Sequence, residues 1–194
     1  DYKSFCIEKP FNHIQDFDTH KILDEIKNNE IYLLELAHTS DYYFDSPKEF
    51  TDALAQNTSI QSVEFYGDFI GCLRGRERTE IVEAVGKLPN LRSVTLADSC
   101  LMVKSAISLL ESAKSLKEFT MKRIVMQGLQ VDFDNLESAI YMHPALNSYT
   151  MKECIAANRN VDMAPLEKLA RSSAPTAPLP GGFPERATAR AIAA

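Results

Sequence analysis

Apolar residues recur along this chain in triplets at positions 1, 4 and 6 of a repeated motif: Tyr2/Phe5/Ile7, Ile31/Leu34/Leu36, Ile60/Val63/Phe65, Leu91/Val94/Leu96, Leu116/Phe119/Met121 and Leu146/Tyr149/Met151. Their first members are separated by 29, 29, 31, 25 and 30 residues. Positions 4 and 6 fall on one side of an extended chain, so each triplet predicts a short strand with a single apolar face. A second column runs ten, seven and six residues ahead of the last four triplets: Phe50/Ala53/Leu54, Ile81/Ala84/Val85, Ala106/Leu109/Leu110 and Leu136/Ala139/Ile140. Offsets of three and four residues put these on one face of a helix. Each unit is therefore a helix, a turn and a strand. Neither element can bury its apolar face alone, and stacked copies share a continuous core.

The polar residues place the boundaries. A helix is predicted over Thr19–Lys27, with Ile22, Leu23 and Ile26 inward and Asp18 as N-cap. Ser46, Pro47 and Glu49 form a capping box that opens a second helix running to Gln56. A third spans Glu77 to Gly86, where the glycine is a helix stop, and a fourth spans Val103 to Ala113. Asp132–Asp134 start a fifth, which His143-Pro144 ends, and Ala164–Ala170 make the last. The strands are Tyr32–Leu36, Gln61–Phe65, Leu91–Leu96, Lys117–Met121 and Asn147–Met151, preceded by one at Tyr2–Ile7 that is either an exposed edge or the continuation of an earlier part. The next strand should begin near residue 175, where Pro175, Pro178, Pro180, Gly181 and Gly182 forbid central pairing. The chain thus divides into a solenoid of about six units over residues 1–171 and a flexible Pro/Gly/Ala-rich tail over 172–194.

The motif of Leu91, Val94, Leu96, Ser99 and Leu101 resembles that of the leucine-rich-repeat family, and the long period with a helix in each unit is similar to its ribonuclease-inhibitor-like subclass. The resemblance covers residues 2–171. It implies an α/β fold, a curved horseshoe with parallel strands on the concave face and helices on the convex face. In that subclass the ninth motif position is usually Cys or Asn. Here it reads Pro10, Thr39, Asp68, Ser99, Ile124 and Cys154, so only Cys154 matches.

Composition narrows the function classes. With 194 residues, 45% of them apolar and 25% charged, this is an ordinary soluble composition, simplest as one domain. A net charge of -6 argues against a general nucleic-acid or anionic-membrane binder. No apolar run reaches the roughly 20 residues of a membrane span. The opening at Asp1, without a signal segment, points to an intracellular, cytoplasmic protein, although the missing initiator methionine leaves room for a removed targeting segment. Cys6, Cys72, Cys100 and Cys154 form no C-x-x-C pair and read as reduced thiols. His13, His20, His38 and His143 offer no ligand pair at helical spacing, and no Gly-rich loop or nucleophile elbow is present. No metal or cofactor is expected. Cys6 and His38 would be neighbours on adjacent strands, but a thiol and a base with nothing to orient them are a poor catalytic set. The chain reads as a non-enzyme.

Candidate binding residues come from the motif positions between the buried ones. The fifth position gives Cys6, Glu35, Glu64, Thr95, Thr120 and Thr150; the seventh gives Glu8, Ala37, Tyr66, Ala97, Lys122 and Lys152; the eighth includes Asp98, Arg123 and Glu153. The strip is acidic around Glu35, Glu64 and Tyr66 and basic around Lys122, Arg123 and Lys152, as a charge-complementary protein surface would be. Arg74, Arg76 and Arg78 form a candidate anion-binding loop within the longest insertion, since guanidinium forks bind carboxylate and phosphate bidentately. The aromatic loop Tyr42/Tyr43/Phe44 is a candidate anchor. The function expected is protein recognition through the concave strands. The alternative is a structural subunit of a larger complex, docked through solenoid edges and tail.

Overall fold

The computed structural model describes residues 19–38, 47–67, 75–172 and 188–192. Helices and strands alternate along them: α1 (Thr19–Lys27), β1 (Leu33–His38), α2 (Pro47–Gln56), β2 (Ser62–Gly67), α3 (Gly75–Gly86), β3 (Ser93–Ala97), β4 (Cys100–Met102), α4 (Val103–Ser112), β5 (Glu118–Lys122), β6 (Val125–Gln127), α5 (Gln130–Tyr141), β7 (Ser148–Lys152), β8 (Ile155–Ala156), α6 (Ala164–Ser172) and β9 (Thr188–Ile192). Five of the six expected triplet strands are present, each beginning at motif position 3. The sixth, at Tyr2–Ile7, and the aromatic loop at Tyr42–Phe44 lie outside the described residues.

The strands form a parallel sheet in the order β7-β5-β3-β2-β1-β9. Register is the same from unit to unit: Leu34, Val63, Val94, Phe119 and Tyr149 pair in one row, and Leu36, Phe65, Leu96, Met121 and Met151 in another. The helices pack one on the next in chain order. Between the layers lies one core, in which Leu34, Val63, Val94 and Phe119 are fully buried against Phe50, Leu54, Val85 and Leu109 of the helices. Full burial of such a side chain contributes about 1.5–3 kcal/mol, so the repeated triplet is the main source of stability. The Phe119 and Tyr149 rings stack with centroids 6.1 Å apart. Burial pushes the Tyr149 phenol well above its usual pKa range, and its hydroxyl stays protonated against Met151 Sδ at 3.1 Å.

The four units with strands β2, β3, β5 and β7 leave them by the same turn. At motif position 8, Gly67, Asp98, Arg123 and Glu153 have φ of 62°, 56°, 50° and 54°. The left-handed residue bends the chain while the ladder continues: Asp98 N–H donates to Lys122 O at 3.0 Å and Arg123 N–H to Lys152 O at 2.8 Å. Position 9 follows inside the turn, as buried Ser99 and Ile124 and half-buried Cys154. The chain then adds a second small parallel sheet, β4-β6-β8, that the triplet periodicity does not announce. Its strands have three residues or fewer, too short to show a period. Leu101, Met126 and Ala156 form one row of it, with Leu101 and Met126 buried.

Three expectations are corrected. Helix α3 begins at Gly75, so Arg76 and Arg78 lie in its first turns rather than in a loop; arginine and glutamate in 76–80 are good helix formers. Helix α5 begins at Gln130, because Asp132 sits inside the first turn and its Oδ2 accepts the Leu129 N–H at 2.9 Å. Within the stretch expected to be a flexible tail, Thr188–Ile192 forms β9, parallel to β1. The prolines and glycines that forbid central pairing stand at 175–182. Residues 188–192 contain neither, and among the described residues β9 takes a sheet edge, where a ladder is needed on one side only. No helix among the described residues is long and apolar enough to cross a membrane.

Candidate functional site

The sheet face opposite the helices carries the fifth- and seventh-position side chains, and register fixes their order. Glu35, Glu64, Thr95, Thr120 and Thr150 form one row, and Ala37, Tyr66, Ala97, Lys122 and Lys152 the next. The expected gradient is therefore laid out across the sheet, acidic on β1 and β2 and basic on β5 and β7.

At the acidic end Glu35 is buried and Glu64 half-buried, on adjacent strands. The Tyr66 hydroxyl donates to Glu64 Oε2, which spreads one carboxylate's charge and ties up the phenol.

At the basic end the three expected cations do not act alike. Arg123 closes a bidentate ion pair on Asp98: Nη2 lies 2.7 Å from Oδ2, and Nε bonds Oδ1. These two residues share the eighth motif position in successive units, so repeat stacking alone would have paired them. Lys122 and Lys152 are direct register partners. Among the described residues no carboxylate makes an ion pair with either, and Glu118 and Glu153 are not bonded to them. Lys122 is half-buried and Lys152 exposed, with the Thr120 and Thr150 positions two residues earlier on the same face. Two ammonium groups and two hydroxyls side by side suit a carboxylate or another anionic group.

A cleft of about 480 Å³ borders this corner, between the end of β7 and α6, lined by Lys152, Glu153, Cys154, Glu167 and Arg171 among others. Burial pushes the Cys154 thiol up, which leaves it a poor nucleophile. Cys100 and Cys154 are free thiols. Arg74 and Cys6 lie outside the described residues, so neither the arginine loop nor the Cys6/His38 pair gains geometry from the structure.

The residues that tie one unit to the next were not visible as a pattern. Asn57 Nδ2 reaches back to Ile26 O at 2.7 Å, Asn90 Nδ2 to Thr58 O at 2.7 Å, and His143 Nε2 to Ala113 O at 3.0 Å. Asn57 and His143 both stand three residues ahead of their triplet, a column that reads Asn28, Asn57, Leu88, Ala113 and His143. The mixture of polar and apolar types hides its role.

No protein-family model matches this chain. No curated protein matches it either. Among solved structures, the tropomodulin C-terminal domain from Caenorhabditis elegans superposes with a TM-score of 0.50 at 13% identity, covering 80% of this chain and 92% of that one. At that identity the likeness is one of architecture, and it identifies the arrangement of parallel strands and sequential helices as a leucine-rich-repeat-like α/β fold.

Proposed function

We propose that this chain is a non-enzymatic recognition module, a ribonuclease-inhibitor-like leucine-rich-repeat solenoid whose concave strand face binds an acidic segment of another protein. The observation that carries this reading is the Lys122/Lys152 register pair. Like charges directly opposite on neighbouring strands cost the fold up to about 1 kcal/mol, so folding supplies no reason for them. Arg123 has its own carboxylate, whereas the lysines have none among the described residues. The half-buried Glu64 carboxylate at the other end of the face would orient the ligand by repelling its acidic segment.

A second reading is favoured by the sheet margin. β7 ends the sheet on one side, and beyond α6 no strand continues it among the described residues. A structural subunit docked through that edge and through residues 173–194 would use these features instead of the concave face.

Quantitative affinity capture with three forms of the chain separates the two. The recognition reading expects Lys122→Glu/Lys152→Glu to lose the captured partner with the melting temperature nearly unchanged, mainly through slower and more salt-sensitive association. A chain ending at Ser172 should keep it. The opposite pattern supports the subunit reading, and unchanged capture by the lysine variant at low ionic strength removes this corner from the interface.

A further inference from the structure

The small sheet β4-β6-β8 has two faces, and the fold accounts for only one of them. Its register sets Cys100, Val125 and Ile155 in one row and Leu101, Met126 and Ala156 in the next. Leu101 and Met126 belong to the core and are fully buried. Alternation turns the flanking positions outward, where Met102, Val125 and Ile155 are exposed. Leu129, two residues beyond β6, adds a side chain that is 67% exposed. Single exposed apolar residues are ordinary on a protein surface, but a contiguous set at one rim marks a contact surface.

Local structure does not call for these residues. Gln127, the register partner of Met102, shows that a polar side chain fits the same face. Valine and isoleucine suit a strand by propensity, so Val125 and Ile155 alone would mean little. Met102 and Leu129 have no such reason. They are the N-caps of α4 and α5, and neither makes a side-chain capping bond. Serine, aspartate or asparagine at either position would satisfy a free helix N–H. Two successive units thus forgo a cap and expose a large apolar side chain instead.

The rim adjoins the lysine pair. Lys122 and Val125 are three residues apart around the turn after β5, and Lys152 and Ile155 around the turn after β7. Register aligns both rows, Lys122 with Lys152 and Val125 with Ile155. Three extended residues span at most about 10 Å, so one short segment reaches from the first row to the second. At the corner between them Arg123 is neutralised by Asp98, and Glu153 is an exposed carboxylate. Charge therefore favours acidic residues over the lysines and repels them from the rim.

Resting on the reading that Lys122 and Lys152 receive an acidic segment, we infer that this segment is bipartite. Its acidic residues lie over the lysines, and large apolar residues about three positions away cross the turn and dock on Met102, Val125, Leu129 and Ile155. The lysines steer association, and the rim adds affinity that salt does not screen.

Two fluorescein-labelled peptides test this on the full chain by anisotropy. One joins a run of Asp and Glu to a Gly/Ser spacer; the other carries Leu-Phe-Leu within the spacer, three residues beyond the acids. The first should bind weakly and lose its binding in Lys122→Glu/Lys152→Glu. The second should bind at least about tenfold more tightly, a change that burial of about 55 Å² of apolar surface produces, and that gain should persist as ionic strength rises. Met102→Ser/Leu129→Ser should abolish the gain and leave affinity for the first peptide unchanged. Equal affinity for the two peptides, or a gain that survives the serine variant, overturns the rim site and leaves the lysine reading standing. Binding of neither peptide, or binding indifferent to Lys122→Glu/Lys152→Glu, overturns both. Because serine caps a helix, the serine variant should also melt no lower than the parent. A lower midpoint would assign the face to another segment of this chain, and a dimer that the variant dissolves in sedimentation would assign it to a second copy; either result overturns the proposal.

Discussion

Replacing Asn57 by alanine tests the idea that side-chain latches, not only the apolar core, set the stacking of units. Asn57 is 1% exposed and its side chain makes four hydrogen bonds. Its Nδ2 donates to Ile26 O at 2.7 Å and Ser59 Oγ at 3.2 Å, and its Oδ1 accepts from Ser59 N at 2.9 Å and Ile60 N at 2.8 Å. In later units the equivalent of the last bond is made by backbone: Leu91 N donates to Leu88 O and Leu116 N to Ala113 O. Alanine removes all four. Ile26 O keeps a bond from Asn29 N at 3.2 Å, and half-buried Ser59 reaches water, so the cost centres on the buried Ile60 N–H and on the lost tie between units. An unsatisfied buried donor costs about 1–3 kcal/mol and the lost tie, as one net hydrogen bond, about 0.5–1.5, which together make roughly 1.5–4.5 kcal/mol. In a chain of this size that lowers the melting midpoint by about 5–15 °C. Urea and thermal melts of Asn57→Ala measure it, with Asn90→Ala, an exposed single bond to Thr58 O, as the comparison at under about 1 kcal/mol. A loss below about 0.5 kcal/mol for Asn57→Ala would refute the reasoning, because it would mean that the turn relaxes to the backbone-bonded form of the later units.

Three other outcomes are expected. Gly86→Ala should destabilise by about 1–3 kcal/mol, since a Cβ there would overlap that of Ser112 on the next helix, and Ser112→Gly in the same chain should recover part of the loss; a neutral result in denaturant melts would deny the close approach. His143 accepts the Ala145 N–H at Nδ1 and donates from Nε2 to Ala113 O, which requires the neutral ring, and burial lowers its pKa below the usual 6.5. The unfolded chain therefore binds the proton first, so stability is full above about pH 6.5 and falls as the pH drops toward the folded value; His143→Gln should flatten this slope in melts taken across that window. Glu153→Asn should stabilise by about 0.5 kcal/mol, because asparagine tolerates the left-handed backbone that glutamate adopts at φ 54°, and a lower midpoint would contradict it.

The sequence by itself determined the unit and its register. Triplets at 1, 4 and 6 name residues that become buried in the middle units, from Ile60 to Met121, and a nearly constant period means that equal motif positions become cross-strand neighbours. Five strands, six helices and the Lys122/Lys152 pairing follow from that counting, and so, in retrospect, does the Asp98–Arg123 ion pair. What periodicity does not encode was left to tertiary structure. After β2, β3, β5 and β7 the chain is left-handed at position 8 whether the residue is Gly67, Asp98, Arg123 or Glu153, and at Asp98 and Arg123 ladder bonds to the next unit hold it there against local preference. The short β4-β6-β8 sheet exists only because those turns align three units. Asn57 and His143 perform one task with different chemistry, so no shared residue type marks it. The edge of β1 goes further still: it is paired by β9, from the far end of the chain, and no repeat spacing links residues 188–192 to Leu33–Ala37.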